Sequence, residues 1–174
     1  MLNFIAHQFL KKYNFSMRIL GIDPGIQITG YCLLNYENDQ FEVITSGSVQ
    51  TDKNKKEADR LFEINKDINE LAKTLKPDVA SIEKLFFFKN QKTIIPVAQA
   101  RGVILSALAQ NNISIFEYTP IQVKLTLTGH GRATKDEVKT MVEKFVTISQ
   151  NTKLDDTIDA IAIAICHARN IIEE

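Results

Sequence analysis

The feature that most constrains this chain is a change of hydrophobic period near Lys55. Before it, three segments have strand character. Residues 18–23, "RILGID", are short and apolar, the pattern of a buried strand. Residues 30–36 and 40–50 are rich in Val, Ile, Tyr and Thr, and the polar "ENDQ" at 37–40 predicts a hairpin between them. After the change, Ala58, Leu61, Ile64, Ile68, Leu71 and Leu75 recur at spacings of three and four, an amphipathic helix that Pro77 stops. Strands and helices then alternate. Residues 78–88 read as a strand, 90–110 as a helix and 113–118 as a strand. A short helix runs from Pro120 to about Leu127, a glycine-punctuated loop spans 128–135, and helices follow over 136–145 and 154–172. A strand meander followed by this alternation predicts an α/β fold, a mixed five-stranded sheet with helices on both faces. The helix at 90–110 is apolar on nearly every side, which predicts burial all round, as a central core helix or a subunit contact.

The 174 residues suit one domain with a sizeable core. No apolar run approaches the length of a membrane span, so no membrane partner is expected. Cys32 and Cys166 lie in apolar stretches, fit a reduced cytoplasmic protein and are too few for a cysteine metal cluster. Residues 1–16 carry no basic region before an apolar core, which argues against a secretory signal. They are mildly amphipathic and lack acids, so an organellar address stays open. We read them as a dispensable extension, with Met17 as the functional start and 17–174 as the domain. The formal net charge is zero, but its distribution is uneven. From Lys84 to Lys135 seven bases (Lys84, Lys89, Lys92, Arg101, Lys124, Arg132, Lys135) face one acid, Glu117. That block suits a polyanionic partner, and equally an ordinary solvated surface.

Four acids sit where acids are costly. Asp23 ends the first strand just before Pro24-Gly25, and Glu83 lies near the exit of a second apolar strand. Asx-turn chemistry explains the first alone, and an outward-facing position the second. Near the end of the chain, "LDDTIDAIAIAIC" puts Asp155, Asp156 and Asp159 into an otherwise apolar helix. Asp156 and Asp159, or Asp155 and Asp159, would share a helix face, and periodicity does not choose between the pairs. Asp155 has a capping explanation with Thr152. Asp159, read as a second-turn residue, faces either solvent or a site. Gathered together, such carboxylates would repel one another, and hard divalent cations with all-oxygen shells, Mg²⁺ or Mn²⁺, relieve that repulsion. Two such ions about 3.5–4 Å apart suit in-line displacement at a phosphodiester. His167 would lie roughly 16 Å along the helix from Asp156, too far to share an ion, and reads as a surface or packing residue. His130 reads as a loop residue or a phosphate contact.

"RILGIDPGIQITGY" resembles the opening of the bacterial RuvC family of Holliday-junction resolvases, within the ribonuclease H-like superfamily. "SIEKLFFFKN", "AQARGVIL", "FEYTPIQVK", "TGHGRATKDEV" and "DDTIDAIAIAI" follow in the family's order, and the similarity runs from about Met17 to His167. GIDxG alone is weak, since sugar kinases and actin-like ATPases carry something similar; the later segments in register give the match its strength. The resemblance implies a ribonuclease H-like nuclease domain over 17–174, with catalytic, metal-binding acids at Asp23, Glu83, Asp156 and Asp159. It thereby selects Asp156 over Asp155. It implies a further catalytic lysine at Lys135 and DNA contacts at Phe86, Lys124 and Lys135. From their own surroundings, Lys89, Lys92 and Arg132 join the DNA-facing set. Phe86, Phe87 and Phe88 would otherwise be core strand, although aromatics flanked by lysines also suit base stacking.

The activity implied is paired symmetric nicking of four-way DNA junctions in recombination and repair, by a homodimer with two Mg²⁺ per active site and Mn²⁺ as a substitute. The partners implied are a junction-binding tetramer and a ring ATPase that together form a branch-migration complex. Two positions depart from the family's habit: Ile26 where a small polar residue is common, and Glu137 where glutamine is frequent. Alternatives are another ribonuclease H-like nuclease acting on hybrid duplex or in processing, and a catalytically inactive junction-binding module. An actin-like or sugar-kinase domain would need a duplicated second domain and a second glycine-rich phosphate loop, neither of which this sequence has.

Overall fold

A computed structural model describes residues 16–85, 94–148 and 157–171. The first three strands, β1 (Ser16–Asp23), β2 (Ile28–Glu37) and β3 (Gln40–Gln50), form the expected antiparallel meander. Asn38 and Asp39 both adopt positive φ (51° and 64°), the backbone of a tight hairpin whose twist matches its strands. Helix α1 (Glu57–Leu75) ends at Lys76 in a left-handed cap, immediately before Pro77. β4 (Val79–Glu83), α2 (Ile94–Gln110) and β5 (Ser114–Tyr118) follow, then α3 (Pro120–Thr128), α4 (Lys135–Phe145), β6 (Val146–Ile148) and α5 (Ile158–Asn170). The sheet order is β5-β4-β1-β2-β3-β6. The five expected strands are joined by β6, a three-residue strand parallel to β3 that is too short for period to reveal.

The sheet separates two apolar layers. Leu20, Ile22, Ala80 and Ile82 pack with Ile64 and Ile68 of α1 and Ile104 and Leu108 of α2. On the other face Ile19, Cys32 and Leu34 pack against α5, with Val123 and Leu127 of α3 and Val138 and Val142 of α4 beside it. Because successive strand residues point to opposite faces, Ile19, Gly21 and Asp23 share the α5 face of β1. Ser81 and Glu83 share that face on β4, and the Ser81 hydroxyl donates to the Ile163 carbonyl of α5 at 3.3 Å.

α5 is the helix buried on nearly every side; from Ile158 to Ala168 only Asp159 is exposed. Of the two expectations for α2, the central core helix does not hold within the single chain. It buries Ala100, Ile104, Ala107 and Leu108 and leaves Ile95 67% exposed. The physical reason is its place in the fold: α2 lies in the outer layer beside α1, whereas α5 is enclosed by the sheet together with α3 and α4. Asn65 and Asn69 of α1 bind Val103 O and Asn111, fixing how α1 and α2 meet.

Candidate active site at the ends of β1 and β4

β1 and β4 are parallel neighbours with Ile22 opposite Ile82, so the next residue of each, Asp23 and Glu83, reaches the same sheet edge on the same face. The two carboxyls lie in hydrogen-bonding contact, which favours a proton on Glu83 over one on Asp23. Burial, and then the charge of Asp159, hold the Asp23 carboxyl above the usual aspartate range. Burial, and then the charge of Asp23, push Glu83 up to about 8. The Lys135 ammonium opposes both shifts. Ionising both acids without a cation therefore costs energy, through desolvation and like charge together.

Two features bring Asp159 to this edge. The first is Gly21: a Cβ there would lie 2.1 Å from Ala160 O and 2.9 Å from Ala164 Cβ, so α5 can lie this close to β1 only because no side chain intervenes. The second is helix register. α5 starts at Ile158, placing Asp159 in its first turn rather than the expected second, where an acid also suits the helix dipole. The Lys135 ammonium lies 3.5 Å from Asp159 Oδ2. Lys135 opens α4 directly after a capping box in which Thr134 and Glu137 satisfy each other's backbone amides. Glu137 is thus the helix-capping partner, and its bonds from Thr134 hold its carboxyl below the usual range.

A cavity of about 420 Å³ joins these groups, lined by Asp23, Glu83, Lys124, Lys135 and Asp159 over an apolar wall that includes Val123 and Ile163. The turn leaving Asp23 is braced from below. Thr29 Oγ1 donates to Gly25 O at 2.7 Å, Thr51 Oγ1 donates to Ile26 O at 2.6 Å, and Arg60 Nε donates to Thr51 Oγ1 at 2.9 Å. Gly25 is obligatory there, since a Cβ would meet Ile28 O at 2.3 Å.

Of the expected site residues, the structure brings Asp23, Glu83, Asp159, Lys124 and Lys135 to one cavity. Arg132 is exposed in the segment between α3 and α4 and does not line it. Asp156, Phe86, Lys89 and Lys92 lie outside the described residues. Among the described residues no group of three or more His, Cys, Asp or Glu converges closely enough to hold a metal ion. The donor chemistry nonetheless fits a hard cation: two oxygen-donor side chains in mutual contact, each raised in pKa by burial, with a third acid acting on both.

His167 is a packing residue, as one of its two readings expected. It is buried under the Phe116 ring, with Nδ1 2.7 Å from the Tyr118 hydroxyl, and burial lowers its pKa to about 4. Arg101 was legible only as one base in the basic block. In the structure it pairs with Glu117 and donates to Glu83 O. Nothing in period or spacing signals that contact, which joins three separate elements.

A mixed sheet flanked by helices, with acids ending two adjacent parallel strands and a third acid on the helix that crosses them, defines a ribonuclease H-like nuclease. The family model described as crossover junction endodeoxyribonuclease RuvC matches residues 19–167. The chain belongs to that family. Relatives named crossover junction endodeoxyribonuclease RuvC include one from Fusobacterium nucleatum, 45% identical over 89% of this chain and 82% of its own length. Another, from Caldicellulosiruptor saccharolyticus, is 45% identical over 87% of this chain and 92% of its own. Among solved structures, Thermus thermophilus RuvC in complex with Holliday junction substrate superposes with a TM-score of 0.82 at 28% identity, covering 90% of this chain and 96% of that one.

Proposed function

We propose that this protein resolves Holliday junctions, as a metal-dependent endonuclease that nicks two strands symmetrically. The observation that carries the reading is the contact of Asp23 with Glu83 in a cavity shared with Asp159, Lys124 and Lys135. In this reading Asp23 and Glu83, with Asp159 and Asp156, hold divalent cations, Mg²⁺ in the first place and Mn²⁺ as a substitute. Bound, such ions activate water for attack on phosphorus and stabilise the departing oxygen, leaving a 5′-phosphate and a 3′-hydroxyl.

The chain's own groups do the rest. Asp23 and Glu83 would hold the cation as carboxylates, its charge offsetting the burial and mutual repulsion that raise both acids. Lys135, beside Asp159 and 88% exposed, offers its ammonium to charge building on the scissile phosphate. Lys124, on the cavity wall, neutralises a neighbouring phosphate. Phe86 would stack on an unpaired base, and Lys89, Lys92 and Arg132 would track the backbone. A homodimer would match the two-fold symmetry of a junction, and a branch-migration complex of a junction-binding tetramer and a ring ATPase would present it. No described helix is long and apolar enough to cross a membrane. In this reading the enzyme works in the cytoplasm, which suits a role in DNA processing.

The test is cleavage of a synthetic four-way junction beside an RNA–DNA hybrid. Wild-type protein should bind the junction without metal and make paired nicks once Mg²⁺ is added. Asp23→Asn should bind as well and cut slower by more than the about 10–100-fold typical of losing a group that merely orients a metal ligand. Cleavage of the hybrid with no symmetric junction nicks would favour the rival nuclease. Cutting by Asp23→Asn at the wild-type rate would remove the site.

A further inference from the structure

We propose that Arg101 is a positioning residue for Glu83, acting through the Glu83 backbone and not through DNA. The inference rests on reading Glu83 as an acid of the cutting site. Arg101 lies in α2 next to the buried Ala100, on the side of the helix that meets the sheet. Its Nε donates to the Glu83 carbonyl at 3.2 Å, and its Nη2 pairs with the Glu117 carboxylate of β5. Glu117 is in register with Ile82 and so points to the α2 face, while Glu83, one residue on, sends its side chain to the opposite face, beside Asp23.

Arg101 thus grips the last residue of β4 from behind while the carboxylate works in front. On the β5 side, Lys84 N donates to Tyr118 O at 2.8 Å, so the strand end is held by two elements. The planar guanidinium suits this task, because one rigid fork reaches a carbonyl on one strand and a carboxylate on the next; a lysine ammonium has no such fixed fork. A phosphate contact, the obvious reading for a base in this block, fits poorly. The side chain is only 14% exposed, and its charge already faces Glu117.

Arg101→Gln and Arg101→Lys separate the possibilities in three assays: Mn²⁺ binding to DNA-free protein by electron paramagnetic resonance, junction binding without metal by gel shift, and single-turnover nicking. In Arg101→Gln, Mn²⁺ affinity and nicking should each fall about 10–100-fold, the usual effect of losing a group that orients a metal ligand. Metal-free junction binding should stay within about two-fold, and Arg101→Lys should recover part of the loss. Mn²⁺ binding within about two-fold of wild type would overturn the proposal. So would a loss of metal-free junction binding as large as the loss of nicking, which would make Arg101 a DNA contact. If Arg101→Gln does not fold, the three assays are read on Arg101→Lys, and the same results support or overturn the proposal. Glu83→Gln serves as the control. If it cuts like wild type, the reading of the site fails; if it is inactive while Arg101→Gln matches wild type, this inference alone fails.

Discussion

His167 shows how far a residue's neighbours decide its chemistry. It is buried, Phe116 covers its ring, and its Nε2 has no hydrogen-bond partner among the described residues. Its folded pKa, about 4, lies below the ordinary 6.5. The unfolded chain therefore takes up this proton at higher pH than the folded one. The neutral ring costs nothing above pH 6.5, and stability falls as pH drops from 6.5 towards about 4. One such group contributes a slope of up to about 1.4 kcal/mol per pH unit. Urea unfolding across that range should show a shallower decline for His167→Phe than for wild type. Parallel declines would mean that the histidine does not titrate in this way. From sequence its place in the apolar helix was visible, but not Phe116 and Tyr118, which arrive from β5.

At the scale of elements, the contact between β1 and α5 decides the site. Gly21→Ala would drive a methyl against Ala160 O and Ala164. Overpacking of this kind costs about 1–3 kcal/mol, and here α5 must also shift, taking Asp159 from its place near Lys135. The expected outcome is a lower melting temperature together with slower junction nicking; a variant that melts and cuts like wild type would show that α5 adjusts freely. The strand meander, the hairpin and the helices were legible because each has its own period. The difference between α2 and α5 was not: both are apolar, yet one forms an outer layer and the other is enclosed, since burial depends on what packs against a helix as well as on its composition.

At the scale of the whole molecule, the neutral total conceals an uneven distribution of charge. Lys124 and Lys135 line the cavity and Arg132 is exposed nearby, whereas Arg101 is turned inward to Glu117. We propose that the domain is complete from Met17. β1 pairs Met17 with Tyr36 and Ser16 with Glu37, so a chain begun at Met17 loses one pair at the end of the sheet far from Asp23. Such a chain should nick junctions within about two-fold of the full-length rate and melt within a few degrees of it, because within the described sheet only that terminal pair is lost. A large loss of either would assign residues 1–16 a structural or functional role.

The order of the helices and of the five longer strands, and the acids at Asp23 and Glu83, could be read from the amino-acid order alone, because hydrophobic period and strand ends are local properties, whereas the three-residue β6 could not. The family's motifs, also local, carried the chemistry. Which groups meet was settled only by folding. The parallel register of β1 and β4 puts Asp23 against Glu83, and Gly21 lets α5 bring Asp159 to the same edge. Arg101 reaches Glu83 from another layer of the fold. These contacts span residues far apart in the chain, and their electrostatics depend on desolvation, which exists only once the layers have closed around them.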